Sequence, residues 1–360
     1  MTIYLVSAFI LSMVCGFIFT PAILDFCKRK KLYDLPNGRK VHHNAIPRMG
    51  GISFFPSMVL AFVGCLFLIA SNSGIDHPFG IWSASFLVGL GIIYITGIVD
   101  DLIGLNATTK FAAQICAASL LPIAGLYLNN LYGLFGIYEI PAYVGIPLTI
   151  FIIVFIDNAM NLIDGIDGLS ASLSLLALAG FLAYFLHYGV FTYTYTILTV
   201  GMMGALVAFL YFNLFGKPEK NTKIFMGDSG SLSLGYTLGF LAIKSMMDVS
   251  HIWPYRPEAL LIPLTLLFVP VADVVRVTLY RLFHRQPLFK ADKNHIHHKL
   301  LQAGLSQGQA LLFILCLAIG IIVVNSLLYP TLSTMLIILC DIIIYCGVSI
   351  GVNLKIKTTE

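Results

Sequence analysis

The chain has 360 residues, of which 58% are hydrophobic and only 11% charged, and its mean hydropathy is +0.91. That composition excludes a soluble globular enzyme and reads as a polytopic membrane protein. The net charge is a modest +4, and no nucleic-acid partner is expected.

Apolar runs long enough to cross a hydrocarbon core of roughly 30 Å recur along the whole chain. They predict spans at 2–27, 52–71, 81–99, 111–128, 143–161, 169–187, 194–215, 229–247, 259–282, 309–328 and 331–352. The last two are separated mainly by Tyr329-Pro330, so a count of ten fits the same sequence. The predicted fold class is all-α: a polytopic integral membrane helical bundle, with residues 1–360 as one domain.

Basic residues orient the bundle. With eleven spans, 19 of the 21 Lys and Arg residues fall on one side, leaving only Lys244 and Arg256 opposite. The positive-inside rule makes the rich side cytoplasmic, with the N-terminus outside and the C-terminus inside. The cytoplasmic loops are then 28–50, 100–110, 162–168, 216–227 and 283–308. The cluster Lys28–Lys31 follows the first apolar run, so that run reads as an anchored span and not as a signal peptide. All seven cysteines lie in or beside apolar spans without metal-type spacing and read as packing residues.

Polar motifs interrupt this pattern only on the cytoplasmic side. The first is the basic stretch with Arg39, Lys40, His42, His43 and Arg48, which suits a ligand loop or an anionic-lipid contact equally. Asp100-Asp101 closes the third span, with Lys110 nearby. Two carboxylates at a helix C-terminus oppose the macrodipole and repel each other unless a metal or proton relieves them.

Asn158–Gly168 holds the densest set of polar groups. At 100° per residue, Asp157, Asn161 and Asp164 share one stripe of a helix. Gly165 and Gly168 then loosen the backbone so that Asp167 can turn toward the same point. Such oxygens suit a hard cation or a network of sugar hydroxyls, and Asn158 belongs to the same run.

Met226-Gly227-Asp228-Ser229-Gly230 opens the eighth span, where Asp228 reads as an N-cap or as a metal ligand beside a phosphate. Lys217, Lys220 and Lys223 lie just upstream. Asp273 and Arg276 read as an intramembrane ion pair. His295, His297 and His298 form an H-x-H-H loop with no cysteine or second histidine cluster to complete a zinc site. Beside Arg281, Arg285, Lys290 and Lys293 they suit an anionic nucleotide-sugar.

Together, Pro47-Arg48-Met49-Gly50-Gly51, Asp100-Asp101, the N-x-x-D-G-x-D-G run at Asn161–Gly168, the Met226–Gly230 block and the H-x-H-H loop resemble the polyprenyl-phosphate N-acetylhexosamine-1-phosphate transferases. The likeness covers nearly the whole chain, and its combination of blocks is specific. H-I-H-H and eleven spans resemble the WecA/TagO-like branch more than the MraY-like branch.

The resemblance implies transfer of N-acetylglucosamine 1-phosphate from UDP-N-acetylglucosamine to undecaprenyl phosphate, at the cytoplasmic face of a bacterial inner membrane. Mg²⁺ is the implied cofactor, with Mn²⁺ as a substitute. It also implies catalytic or metal roles for Asp100 and Asp101, donor and metal placement by Asn161, Asp164 and Asp167, Mg²⁺ at Asp228, and donor binding by the histidines. Asn158, Lys110, Arg281 and Lys293 are further substrate-binding candidates, and membrane lipids and a homodimer partner are compatible with the family. Another UDP-sugar donor (UDP-N-acetylmuramoyl-pentapeptide or UDP-N-acetylgalactosamine) fits the same residues. An ion-coupled transporter is the alternative of a different class.

Overall fold

The computed structural model describes residues 2–34, 46–73, 80–188, 193–249, 255–287 and 293–359. Of the described residues, 78% are helical. This follows from the solvent: in hydrocarbon each backbone N–H and C=O needs a partner within its own segment, and a helix provides that. The helices in chain order are α1 (Thr2–Arg29), α2 (Phe54–Ser73), α3 (Ile81–Ile103), α4 (Ala107–Ile123), α5 (Ala142–Ile163), α6 (Leu169–His187) and α7 (Tyr193–Phe215). They continue with α8 (Asp228–Met246), α9 (Leu261–Leu266), α10 (Phe268–Phe283), α11 (Ile296–Gln302), α12 (Gln307–Leu328) and α13 (Thr334–Thr359).

Eight of the described helices are long and apolar enough to cross a membrane: α1, α2, α3, α5, α6, α7, α12 and α13. The other three predicted spans are helical but depart from a simple span for physical reasons. The helix α4 has only 17 residues. The 259–282 span is two helices, broken at Leu267 (φ −107°, ψ 9°), where Pro270 lacks the N–H that would bond the Leu266 carbonyl.

The α8 segment fails on apolarity because it is rich in Ser, Thr and Gly, yet every residue from Ser229 to Met246 is buried. It is the central post of the bundle, packed by α3, α5 and α6. Two of its hydroxyls are satisfied within the helix, Ser233 donating to Ser229 O at 2.6 Å and Thr237 to Ser233 O at 2.7 Å. Small residues allow close approach: a Cβ on Gly97 of α3 would stand 2.4 Å from Ser229 Cα.

Two small sheets qualify the all-α expectation. β1 (Tyr33–Asp34) pairs antiparallel with β2 (Ile46–Pro47), and β3 (Asn130–Leu134) with β4 (Ile137–Glu139). The second hairpin covers the C-terminal end of α8, where Tyr132 Oη donates to Met246 O at 2.9 Å. The segment 283–308, expected to be loop, contains α11 and the start of α12.

Candidate active site

The site is assembled around the N-terminus of α8. Gly227 adopts a left-handed φ of 77°, which a side chain would strain and which brings Asp101 close: a Cβ there would lie 2.7 Å from both Asp101 carboxylate oxygens. The Asp101 oxygens accept the first two amides of α8, Asp228 N–H at 2.9 Å and Ser229 N–H at 3.0 Å. The unfavourable end of α3 thus meets the favourable end of α8, which answers the macrodipole conflict.

Asp100 points the other way. It accepts the Leu105 amide at 2.5 Å and pairs with Lys110 Nζ at 2.6 Å. Gly104 (φ 72°) ends α3, and Asn106 caps α4 by accepting the Thr109 amide at 2.8 Å. That tight turn places Lys110 one helical turn into α4, beside Asp100. Lys110 also reaches Asp228 Oδ2 at 3.1 Å, while Asn161 Nδ2 donates to Asp228 Oδ1 at 2.6 Å and to Ser231 Oγ at 2.9 Å.

The α5 stripe divides by depth. Asp157 is fully within the bundle, accepting from Gln114 at 3.0 Å, and Asn158 donates back to Gln114 at 3.0 Å and to Val154 O. Asn158 therefore supports the interior and does not line the cavity. Asp164, just past the end of α5, does line it, and Asp167 does so while pairing with Lys223 at 2.7 Å. Burial first, then the carboxylates of Asp228, Asp167 and Asp101, push the Asp164 carboxyl up to about 8.

The histidines separate in role. His295 Nδ1 bonds Asp273 at 2.8 Å, and Asp273 also accepts the Ile296 amide, Arg276 and the Tyr345 hydroxyl. The Asp273–Arg276 pair thus anchors the start of α11. His297 is buried with its ring against Gly165, where a Cβ would stand 2.0 Å from Nε2. Burial, then His298, hold the His297 imidazole down to about 3, so it is neutral. Only His298 of the three lines the cavity; Arg281 and Lys293 are outside its wall. His42, His43, Arg39, Lys40, Lys290 and Asp292 fall outside the described residues.

The cavity itself encloses about 390 Å³. Four carboxylates (Asp101, Asp164, Asp167, Asp228) line it, with Asn161, Ser231, His298, Gln307 and the rings of Phe209 and Phe225. Arg48 lines it too, although the sequence shows it only as one cation of a basic stretch. The available signal was its place in Pro47–Gly51, which pairs with the chain entering α8: Phe225 N–H donates to Pro47 O at 2.9 Å, and Gly50 and Gly51 donate to Phe225 O and Met226 O at 2.8 Å.

Among the described residues, no three His, Cys, Asp or Glu side chains close into a metal cage. The carboxylate crowding that adds to burial in raising Asp164 is nevertheless what a divalent cation relieves. A cation held by one or two carboxylates, with substrate oxygens and water completing its shell, matches Mg²⁺ chemistry. Asp164 and Asp228 are the carboxylates suited to it: both line the cavity, and the partners of Asp228 are the side chains of Asn161 and Lys110, whereas Asp101 gives both oxygens to backbone amides and Asp100 lies off the wall.

Residues 83–246 match the family described as Glycosyl transferase family 4. The chain is similar to a probable undecaprenyl-phosphate N-acetylglucosaminyl 1-phosphate transferase of Bacillus subtilis (strain 168), 32% identical over 87% of this chain and 81% of the relative. It is 36% identical to a decaprenyl-phosphate N-acetylglucosaminephosphotransferase of Mycobacterium tuberculosis, over 80% of this chain and 73% of the relative. An undecaprenyl-phosphate alpha-N-acetylglucosaminyl 1-phosphate transferase of Escherichia coli (strain K12) is 28% identical over 91% and 88%.

Proposed function

The chain belongs to glycosyl transferase family 4, and on that premise we propose that it transfers N-acetylglucosamine 1-phosphate from UDP-N-acetylglucosamine to undecaprenyl phosphate. The observation that carries this reading is the convergence of Asn161, Asp164, Asp167 and Asp228 on one cavity at one end of an apolar bundle. The names of the similar proteins support the donor sugar and the polyprenyl acceptor.

In the proposed reaction, an oxygen of the acceptor phosphate attacks the β-phosphorus of the donor. The bond from that phosphorus to the oxygen bridging it to the α-phosphate breaks. UMP leaves with that oxygen, and the sugar stays on a lipid diphosphate. Joining two anions demands charge neutralisation and alignment more than covalent help. Lys110 and Asn161 hold Asp228 in one orientation, and His297 packs the Asp164–Gly168 turn from behind. Asp164, whose carboxyl is raised to about 8, can carry a proton when no cation is bound. Mg²⁺, or Mn²⁺ in its place, would be held by Asp228 and Asp164 and would supply charge neutralisation of the phosphates.

We further infer eleven crossings, with α4, α8 and the α9–α10 pair crossing beside the eight long apolar helices. The support is alternation: the ends of α3, α5 and α7 and the starts of α6, α8 and α12 contribute to the cavity wall, and the start of α4 (Lys110) and the end of α1 (Cys27) bond the wall residues Asp228 and Arg48. With 19 of 21 cations on that side, this end faces the cytoplasm of a bacterial inner membrane, the N-terminus lies outside and the C-terminus inside. There a soluble nucleotide-sugar can meet the phosphate of a lipid whose tail stays in hydrocarbon. The test is incubation of the purified protein with UDP-N-acetylglucosamine, undecaprenyl phosphate and Mg²⁺. Release of UMP is expected; its absence in a folded sample rejects the assignment.

A further inference from the structure

The cavity poses an electrostatic problem that its acids do not solve. Two phosphate-bearing substrates must enter a space lined by Asp101, Asp164, Asp167 and Asp228. The nearby lysines are committed: Lys110 bridges Asp100 and Asp228, and Lys223 pairs with Asp167. Neither forms part of the cavity wall. Among the described residues, Arg48 is the one lysine or arginine on that wall.

The Arg48 guanidinium is poised and unspent. Its Nε is buried without a hydrogen-bond partner. The adjacent carboxylate, Asp101, gives both oxygens to the α8 amides, so it attracts Arg48 through space without bonding it. A buried, unsatisfied guanidinium N–H is costly, and such a cost is tolerated where a ligand supplies the acceptor.

The backbone under Arg48 is also fixed on both sides. Its carbonyl accepts the Cys27 thiol at 3.0 Å, Pro47 O accepts the Phe225 amide, and Met49 is held at a left-handed φ of 83°. A non-glycine residue in that region persists only where its surroundings over-determine it. Those constraints tie Arg48 to the strand-like stretch that leads directly into Gly227 and Asp228.

We propose that Arg48 is a phosphate-binding residue of this cavity, its guanidinium pairing with phosphoryl oxygens of a substrate bound there. This inference rests on the transferase reading above for the identity of the phosphates: those of the donor diphosphate or that of the lipid acceptor. Arginine suits the task because its planar fork meets two phosphate oxygens at once, which lysine cannot do.

The test compares wild type with Arg48→Gln and Arg48→Lys, each purified full-length in detergent. Steady-state kinetics are run with UDP-N-acetylglucosamine and undecaprenyl phosphate varied in turn. Arg48→Gln is expected to raise one KM at least tenfold, and Arg48→Lys to recover part of it. A rise for the nucleotide-sugar places Arg48 on the diphosphate, and a rise for the lipid places it on the acceptor. Both KM values within twofold of wild type overturn the proposal while leaving the transferase reading intact. If Arg48→Gln does not fold, Arg48→Lys decides by the same criterion. If wild type shows no transfer at all, thermal shifts with UMP and with undecaprenyl phosphate decide: a shift in wild type that Arg48→Gln loses supports the site, and equal shifts, or none in either protein, overturn it.

Discussion

Asp101 holds the residue around which the site is built: its Oδ1 accepts the Asp228 amide at 2.9 Å, across 127 positions of sequence. With the Ser229 amide on Oδ2, one carboxylate satisfies the first two donors of a helix that has no side-chain cap of its own. The position of the Asp228 side chain therefore depends on a residue of α3.

Asp101→Ala leaves both α8 amides without a partner in a buried setting. A loss of about 1–3 kcal/mol is expected, read as a lower unfolding temperature in detergent together with loss of transfer. Asp101→Asn keeps one acceptor oxygen and should recover part of the stability. An unchanged unfolding temperature in Asp101→Ala would show that the cap contributes nothing.

Gly165→Ala tests the wedge between α11 and the turn after α5. Its Cβ would stand 2.0 Å from Nε2 of the buried His297 ring and within 2.8 Å of two of its carbons. Overpacking of this kind costs about 1–3 kcal/mol. Adding His297→Ala to Gly165→Ala should restore part of the lost stability, since the clash disappears. A double variant no more stable than the sum of the two single losses predicts would contradict the contact.

Much of this arrangement is legible in the amino-acid sequence. The apolar runs appear as helices because length and hydropathy act locally, and Asp164, Asp167, Asn161 and Asp228 meet because each lies at a span end on one side. What the sequence hides is tertiary. Asp101 reads as a metal ligand because its partners lie on α8, 127 and 128 residues ahead. His295 reads as a substrate ligand because nothing local reveals that Asp273 will claim it. The α9–α10 break reads as one span because Leu267 is as apolar as its neighbours, and only the prolines at 263 and 270 mark it. Arg48 gains its meaning from backbone pairing with Phe225 and Met226, which no periodicity encodes.

Stability should depend on pH through His297. Its folded value near 3 lies below its ordinary 6.5, so between these the unfolded chain binds more protons. Stability therefore rises with pH across that window, by at most about 1.4 kcal/mol per pH unit, and is flat with respect to this group above it. Unfolding temperatures between pH 4.5 and 7.5 should show a steeper acid-side fall in wild type than in His297→Gln. Parallel curves would mean that the imidazole is not held neutral.

Asp228→Asn replaces one carboxylate oxygen with an amide of nearly the same shape. Activity should fall at least a hundredfold, while the unfolding temperature stays within a few degrees, because Asp101 still caps α8. Chelation of divalent cations should silence wild type equally, with recovery on adding Mg²⁺ or Mn²⁺. Wild-type turnover in Asp228→Asn would remove this residue from cation binding.

The central claim is that a sugar phosphate, and not a sugar alone, passes to the lipid in this cavity. UDP-N-acetylglucosamine labelled with ³²P at the β-position, incubated with the purified protein, Mg²⁺ and undecaprenyl phosphate, tests it directly. The label is predicted to move into the lipid-extractable product as unlabelled UMP appears in the aqueous phase. Label that stays in water-soluble UDP while the sugar reaches the lipid would contradict the account.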